Sequence, residues 1–141
     1  METTPDRIIA SCKAHWPVYK DDCSGFAKAV ATDFGVNLTG LADNIYDEIH
    51  GPGWTHLANG VEAKEKADTG WLVLGALKGS QNVPAQTHGH VVVVVTGGLN
   101  RNKYPTAYWG RFGGVGKENA TVNWAWNPGS RDKVYYAGRA V

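Results

Sequence analysis

The chain holds 141 residues, of which 43% are hydrophobic and 19% charged, and its 14 basic and 13 acidic side chains leave a net charge of +1. That composition suits one packed domain over residues 1–141 and excludes a disordered or low-complexity chain. No basic excess marks a nucleic-acid groove, and no apolar run nears the roughly 20 residues that cross a bilayer, so neither nucleic acid nor membrane insertion is expected. Met1 to Asp6 has no basic stretch followed by an apolar one, so no secretory signal peptide is expected. Two cysteines, Cys12 and Cys23, make no disulfide framework, which suits synthesis in a reducing cytosol.

Thr4-Pro5-Asp6 reads as a helix start: a capping hydroxyl, then a proline with no amide hydrogen to leave unpaired. Ile8, Ile9, Cys12 and Trp16 follow at helical spacing, and Pro17 is expected to stop the run. Cys23 opens a second helix with Phe26, Ala27, Val30 and Phe34 on one face and Gly35 as the cap beyond it. A third is expected over Ala42 to His50, and a short polar fourth over Val61 to Asp68.

After Gly70 the pattern changes to strands. Trp71 to Leu77 is one, and Val91 to Val95 is another. Five successive β-branched residues favour a central strand buried on both faces. Gly97-Gly98 is expected to break it. Thr106 to Trp109, Thr121 to Trp126 and Lys133 to Arg139 complete the strand set. Gly110 to Gly116 and Asn127-Pro128-Gly129-Ser130 read as loops between them. Helices followed by strands predict an α+β fold, with the helices packed on one side of a mostly antiparallel sheet.

Asp22-Cys23-Ser24-Gly25-Phe26 is the sharpest local feature. A cysteine at a helix N-terminus meets unpaired amides and the positive end of the helix dipole, which favour thiolate. The backbone amides of Cys23 and Ser24 are candidates to hold an oxyanion. Asp22 suits the capping position. The plainer reading of Cys23 is a buried structural thiol. His88-Gly89-His90 precedes the valine run, and a histidine on a strand facing a helix-borne cysteine is the pair that thiol catalysis needs. The histidines can instead cap the strand, or bind zinc with Cys23 as third ligand. No carboxylate or second cysteine sits at ligand spacing, so no metal is expected. Cys12 reads as core, and His15, His50 and His56 as surface or helix-end residues. The six tryptophans read as core, or as a sugar platform.

Asp-Cys-Ser-Gly-Phe at 22–26, followed by Gly-His-Val-Val-Val at 89–93, resembles the NlpC-type cysteine peptidases and amidases of bacterial cell walls. A longer match, through Lys20 to Phe26, Leu57 to Leu77 with Gly-Trp-Leu-Val-Leu-Gly-Ala-Leu-Lys-Gly at 70–79, and Gly89 to Pro105, resembles the amidase effectors of type VI secretion. It runs roughly from Ile8 to Gly110 and fades beyond. The resemblance implies a minimal papain-like fold, Cys23 as nucleophile, His90 as general base and no cofactor. It implies cleavage in the peptide stem of peptidoglycan, between D-glutamate and meso-diaminopimelate or at the diaminopimelate–D-alanine crosslink. It further implies synthesis in the cytoplasm, export by the type VI apparatus, action in a recipient's periplasm and a cognate periplasmic immunity protein.

The chain departs from the NlpC pattern at the third catalytic position. The strand expected to supply it holds Tyr108, Trp109 and Gly110, none a usual imidazole partner. The backbone carbonyl of Trp109, His88 and the Tyr108 hydroxyl are the candidates. Competing readings are a non-catalytic wall- or carbohydrate-binding module, a zinc hydrolase on Cys23, His88 and His90, and a phage-type lysis amidase. The loops at 51–60, 80–88 and 110–120 are expected to wall the cleft and select the bond.

Overall fold

Across residues 2–141, which the computed structural model describes, helices lead and strands follow. The elements are α1 (Thr4–Tyr19), α2 (Cys23–Asp33), α3 (Ala42–Glu48), β1 (Thr55–Leu57), α4 (Gly60–Asp68), β2 (Leu72–Leu77), β3 (His90–Asn100), β4 (Tyr104–Trp109), β5 (Lys117–Thr121) and β6 (Tyr135–Arg139). The strands form one antiparallel sheet in the order β1-β6-β2-β3-β4-β5. The α+β class and the small papain-like arrangement, a helix start set against an antiparallel sheet, match the expectation.

Several local details differ. The cap of α1 is Thr3, one residue earlier than expected, in a reciprocal capping box with Asp6. Pro17 lies inside the helix rather than ending it. It falls in the last turn, where little helix remains to disrupt. β3 continues through Gly97-Gly98 to Asn100, because a register shift between Val94 and Leu99 absorbs the glycines. The segment expected as a strand over Thr121 to Trp126 is instead the end of β5 followed by a 3-10 turn at Val122–Trp124. That turn folds Val122, Ala125 and Trp126 back under the sheet.

Burial on both faces organises the layers. Val91, Val93 and Val95 pack with Leu72, Leu74 and Ala76 beneath α1, α2 and α3. Val92 and Val94 pack with Val73, Leu77, Ala107 and Trp109 on the opposite face. There Ala63 and Ala67 of α4 cover them, so the helices are not all on one side as expected. Each buried valine contributes roughly 1.5–3 kcal/mol relative to exposure.

The end of β4 fixes the start of α2. Trp16 Nε1 donates to the Trp109 carbonyl at 3.0 Å. Gly110 then passes against the turn that joins α1 to α2. A Cβ on Gly110 would overlap the Tyr19 carbonyl oxygen and lie 2.7 Å from that of Asp22. Gly110→Ala is therefore expected to cost about 1–3 kcal/mol by overpacking. Urea titration checks it, with Gly98→Ala as control, since a Cβ there meets nothing within 4 Å. Equal midpoints for the two variants would remove this constraint.

Candidate active site

Cys23 is the first residue of α2 and is 5% exposed. Asp22 caps the helix: its Oδ1 accepts from the Gly25 N–H at 3.0 Å and from the Ser24 hydroxyl at 3.2 Å. The sequence places Cys23 on the apolar stripe of α2, and the structure packs it with Phe26, Ala27 and Val91. Backbone N–H groups of Val91, Ser24 and Cys23 itself interact with its sulfur. The Val91 amide is a donor that sequence reasoning missed, because it becomes available only where β4 stops pairing with β3.

The helix start was expected to favour thiolate. The structure reverses the balance: burial pushes the Cys23 thiol up, the three amides oppose it, and the Asp22 carboxylate adds to the rise. Cys23 therefore rests as a thiol. Cys12 is fully buried in the core as expected, and burial pushes its thiol up as well.

His90 begins β3, and the strand's alternation separates it from Val91. Val91 turns toward Cys23, whereas the His90 ring meets Trp126 edge-on at 5.1 Å and Trp109 at 6.4 Å, both on the opposite face. Its Nε2 is buried without a hydrogen-bond partner. Burial, followed by the Arg111 charge, pushes the imidazole down to about 3. It rests neutral, the form that accepts a proton.

Two cavities adjoin here. One of about 250 Å³ is lined by Cys23, Ser24, Asp22, Asp43, His88 and Phe112. The other, about 620 Å³, is lined by His90, Arg111, Asn123, Trp126, Asn127 and Arg131, among others. Thr87, His88, Gly89 and Phe112 border both. The His88 and Phe112 rings meet edge-on at 4.6 Å along this border. Gly89 is required there, since a Cβ would collide with the Asp43 carboxylate and lie 2.9 Å from the Leu77 carbonyl oxygen.

The three candidates for the third position have other contacts. The Trp109 carbonyl accepts from Trp16, Tyr108 is buried in the helix-side core, and His88 faces Phe112. Among the described residues no group of three histidine, cysteine or carboxylate side chains is placed to hold a metal ion, Cys23, His88 and His90 included. Of the tryptophans, Trp109 and Trp126 are buried, Trp16, Trp54 and Trp71 half-buried and Trp124 exposed, and Trp124 and Trp126 line the larger cavity. Loop residues 51–60 line neither cavity, whereas 123–131, misread in part as strand, walls the larger one. The one available signal was the Asn127-Pro128-Gly129-Ser130 turn beside Trp126.

The fold and the helix-borne cysteine define a small papain-like α+β protein. No protein-family profile matches the chain. Its sequence is 37% identical over 147 residues to the peptidoglycan amidase Tse1 of Pseudomonas aeruginosa, covering 96% of this chain and 91% of that relative. The chain belongs to this family, the peptidoglycan amidase effectors of type VI secretion.

Neutral His90 has a consequence for acid stability. The unfolded chain takes up this proton below the ordinary value of 6.5, and the folded chain only near 3. Stability is therefore lost as pH falls through that window, by on the order of 1 kcal/mol per pH unit. Urea titrations at pH 7, 5 and 4 should show a steeper loss for the wild type than for His90→Gln. Parallel losses would mean that His90 is not held neutral.

Proposed function

We propose that this protein cuts amide bonds in the peptide stem or crosslinks of peptidoglycan, with Cys23 as nucleophile and His90 as general base. The observation that carries this reading is the Cys23 thiol, set at a capped helix start among three backbone N–H groups and bordering a cavity. Its relative's activity as a peptidoglycan amidase supplies the substrate class.

In this mechanism the Cys23 sulfur attacks the amide carbonyl as its proton passes to His90. The amides of Cys23 and Ser24, joined by that of Val91, hold the oxyanion. The His90 imidazolium protonates the leaving amine as the C–N bond breaks, which leaves a thioester on Cys23. Water then gives a proton to His90 and adds to the thioester, and the proton returns to the departing sulfur. His90 immediately precedes Val91, whose amide approaches the thiol, and its ring lies on the other face of the strand, so the imidazole has to turn toward Cys23 for the proton to pass.

A second reading keeps Cys23 and assigns the base to His88, which lines the same cavity as the thiol. In either case the biology follows the family. The chain is a single catalytic domain made in the cytoplasm, exported by the type VI apparatus and active in the periplasm of a recipient cell. A periplasmic immunity protein protects the producer. No helix is long and apolar enough to cross a membrane among the described residues.

Digestion of purified diaminopimelate-type sacculi, read by mass spectrometry, tests the assignment. Wild type should release peptides whose masses name the bond, and Cys23→Ala should release none while remaining folded. His90→Ala should lose about 10²–10⁴ in rate, with His88→Ala close to wild type. Full cleavage by Cys23→Ala would end the thiol mechanism, and the reverse histidine pattern would move the base to His88.

A further inference from the structure

The larger cavity is bordered by a set of polar groups of which the hydrolytic step uses only His90. Five buried side-chain atoms have no hydrogen-bond partner: His90 Nε2, Asn123 Oδ1, Trp126 Nε1, Asn127 Oδ1 and Arg131 Nε. All five belong to residues that line this one cavity. Folded proteins pair nearly all such groups; these five lie just beneath the cavity surface, so a ligand that shifts the wall slightly can supply the partners. Its volume of about 620 Å³ lies within the roughly 300–1,000 Å³ of small-molecule sites.

The atoms also state what the ligand must offer. Trp126 Nε1 and Arg131 Nε donate, the two asparagine oxygens accept, and His90 Nε2 does either according to tautomer. A ligand that both accepts and donates is needed, which is the character of an amide. Charge adds a second requirement. Arg111 and Arg131 line the cavity, and no aspartate or glutamate does. Neither arginine is in an ion pair among the described residues. The neighbouring Asp132 carboxylate is occupied by the Tyr104 hydroxyl at 2.6 Å and by Lys103 at 3.2 Å. Arg131 lies over the Tyr104 ring, 5.2 Å from its centroid, which orients the guanidinium. The Cys23 cavity is opposite in sign, with Asp22 and Asp43 in its lining.

We infer that the larger cavity is the subsite that recognises a free carboxylate and its adjoining amide in the substrate stem, with Arg111 and Arg131 as the charge partners. The inference rests on the amidase reading. The two cavities orient such a peptide, its carboxylate toward the arginines and its scissile bond across Gly89 toward Cys23. A bound carboxylate also offsets the Arg111 charge that helps hold His90 neutral, so binding readies the imidazole to take a proton.

The test is calorimetric titration of the Cys23→Ala protein with a soluble stem tetrapeptide, and with the same peptide after its carboxylates are converted to carboxamides. The free-acid peptide should bind roughly ten- to a hundredfold more tightly. Arg111 is exposed on its loop, so adding Arg111→Gln should keep the fold while reducing that preference; Arg131→Gln should reduce it further. Lys13→Gln, the same charge change on α1, should leave it intact. Equal binding of the two peptides, binding of neither, or a preference that survives both arginine changes overturns the subsite. Wild-type digestion of sacculi runs alongside. Digestion without a carboxylate preference sinks the subsite and spares the amidase reading. A preference without digestion supports the subsite and sinks that reading.

Discussion

Burial of β3 on both faces is the constraint from which the remaining architecture follows. Val91 to Val95 present apolar surface above and below the sheet, so each side needs its own cover. The first three helices supply one, and α4 with the Val122–Trp126 turn supplies the other. Where this double cover ends, at the first residues of β3, the strand's alternation sends neighbouring residues to different chemical surroundings. Val91 meets the thiol beneath the helices, and His90 meets the tryptophans on the far face. The two cavities follow from that pleat.

The electrostatics of the site follow from the same burial. Backbone amides at a helix start favour a thiolate, but taking the sulfur out of water opposes them more strongly, and the capping Asp22 adds to that opposition. The imidazole is displaced the other way, by burial and by Arg111. Thiol and imidazole are thus both uncharged at rest. Charge arises in such a pair only when something enters that stabilises it, which keeps a buried nucleophile unreactive toward incidental electrophiles.

Much of this was legible in the sequence. The Asp22-Cys23 helix start is written in a capping residue and an apolar stripe, and the central strand in five consecutive β-branched residues. Those signals are local, and local physics decides them. The three-residue strand β1 is too short for any periodicity, and the side of the sheet that α4 takes is set by chain connectivity. The segment from Thr121 to Trp126 alternates like a strand, yet it turns because its apolar residues are needed under the sheet. That misreading hid the part that Asn123 and Trp126 take in the wall they form with Asn127 and Arg131. The departures expected at Tyr108 and Trp109 were visible, but not that Trp16 takes the Trp109 carbonyl, a contact between residues 93 positions apart.

The loop between β4 and β5 is tied at its base in an economical way. The N–H groups of Arg111 and Gly116 both donate to one acceptor, the Lys20 carbonyl, at 3.0 and 2.7 Å. The stem is therefore pinched shut by the protein body, independent of what the tip contains. Closing a longer loop on such a stem adds little: each doubling of length costs only about 0.6 kcal/mol in chain entropy. Phe112 to Val115 can consequently be lengthened, shortened or exchanged without disturbing β4, β5 or the α1–α2 junction. The segment bordering both cavities can thereby change in length and sequence at little cost to the fold, so what it presents to whatever enters them is set by its tip alone.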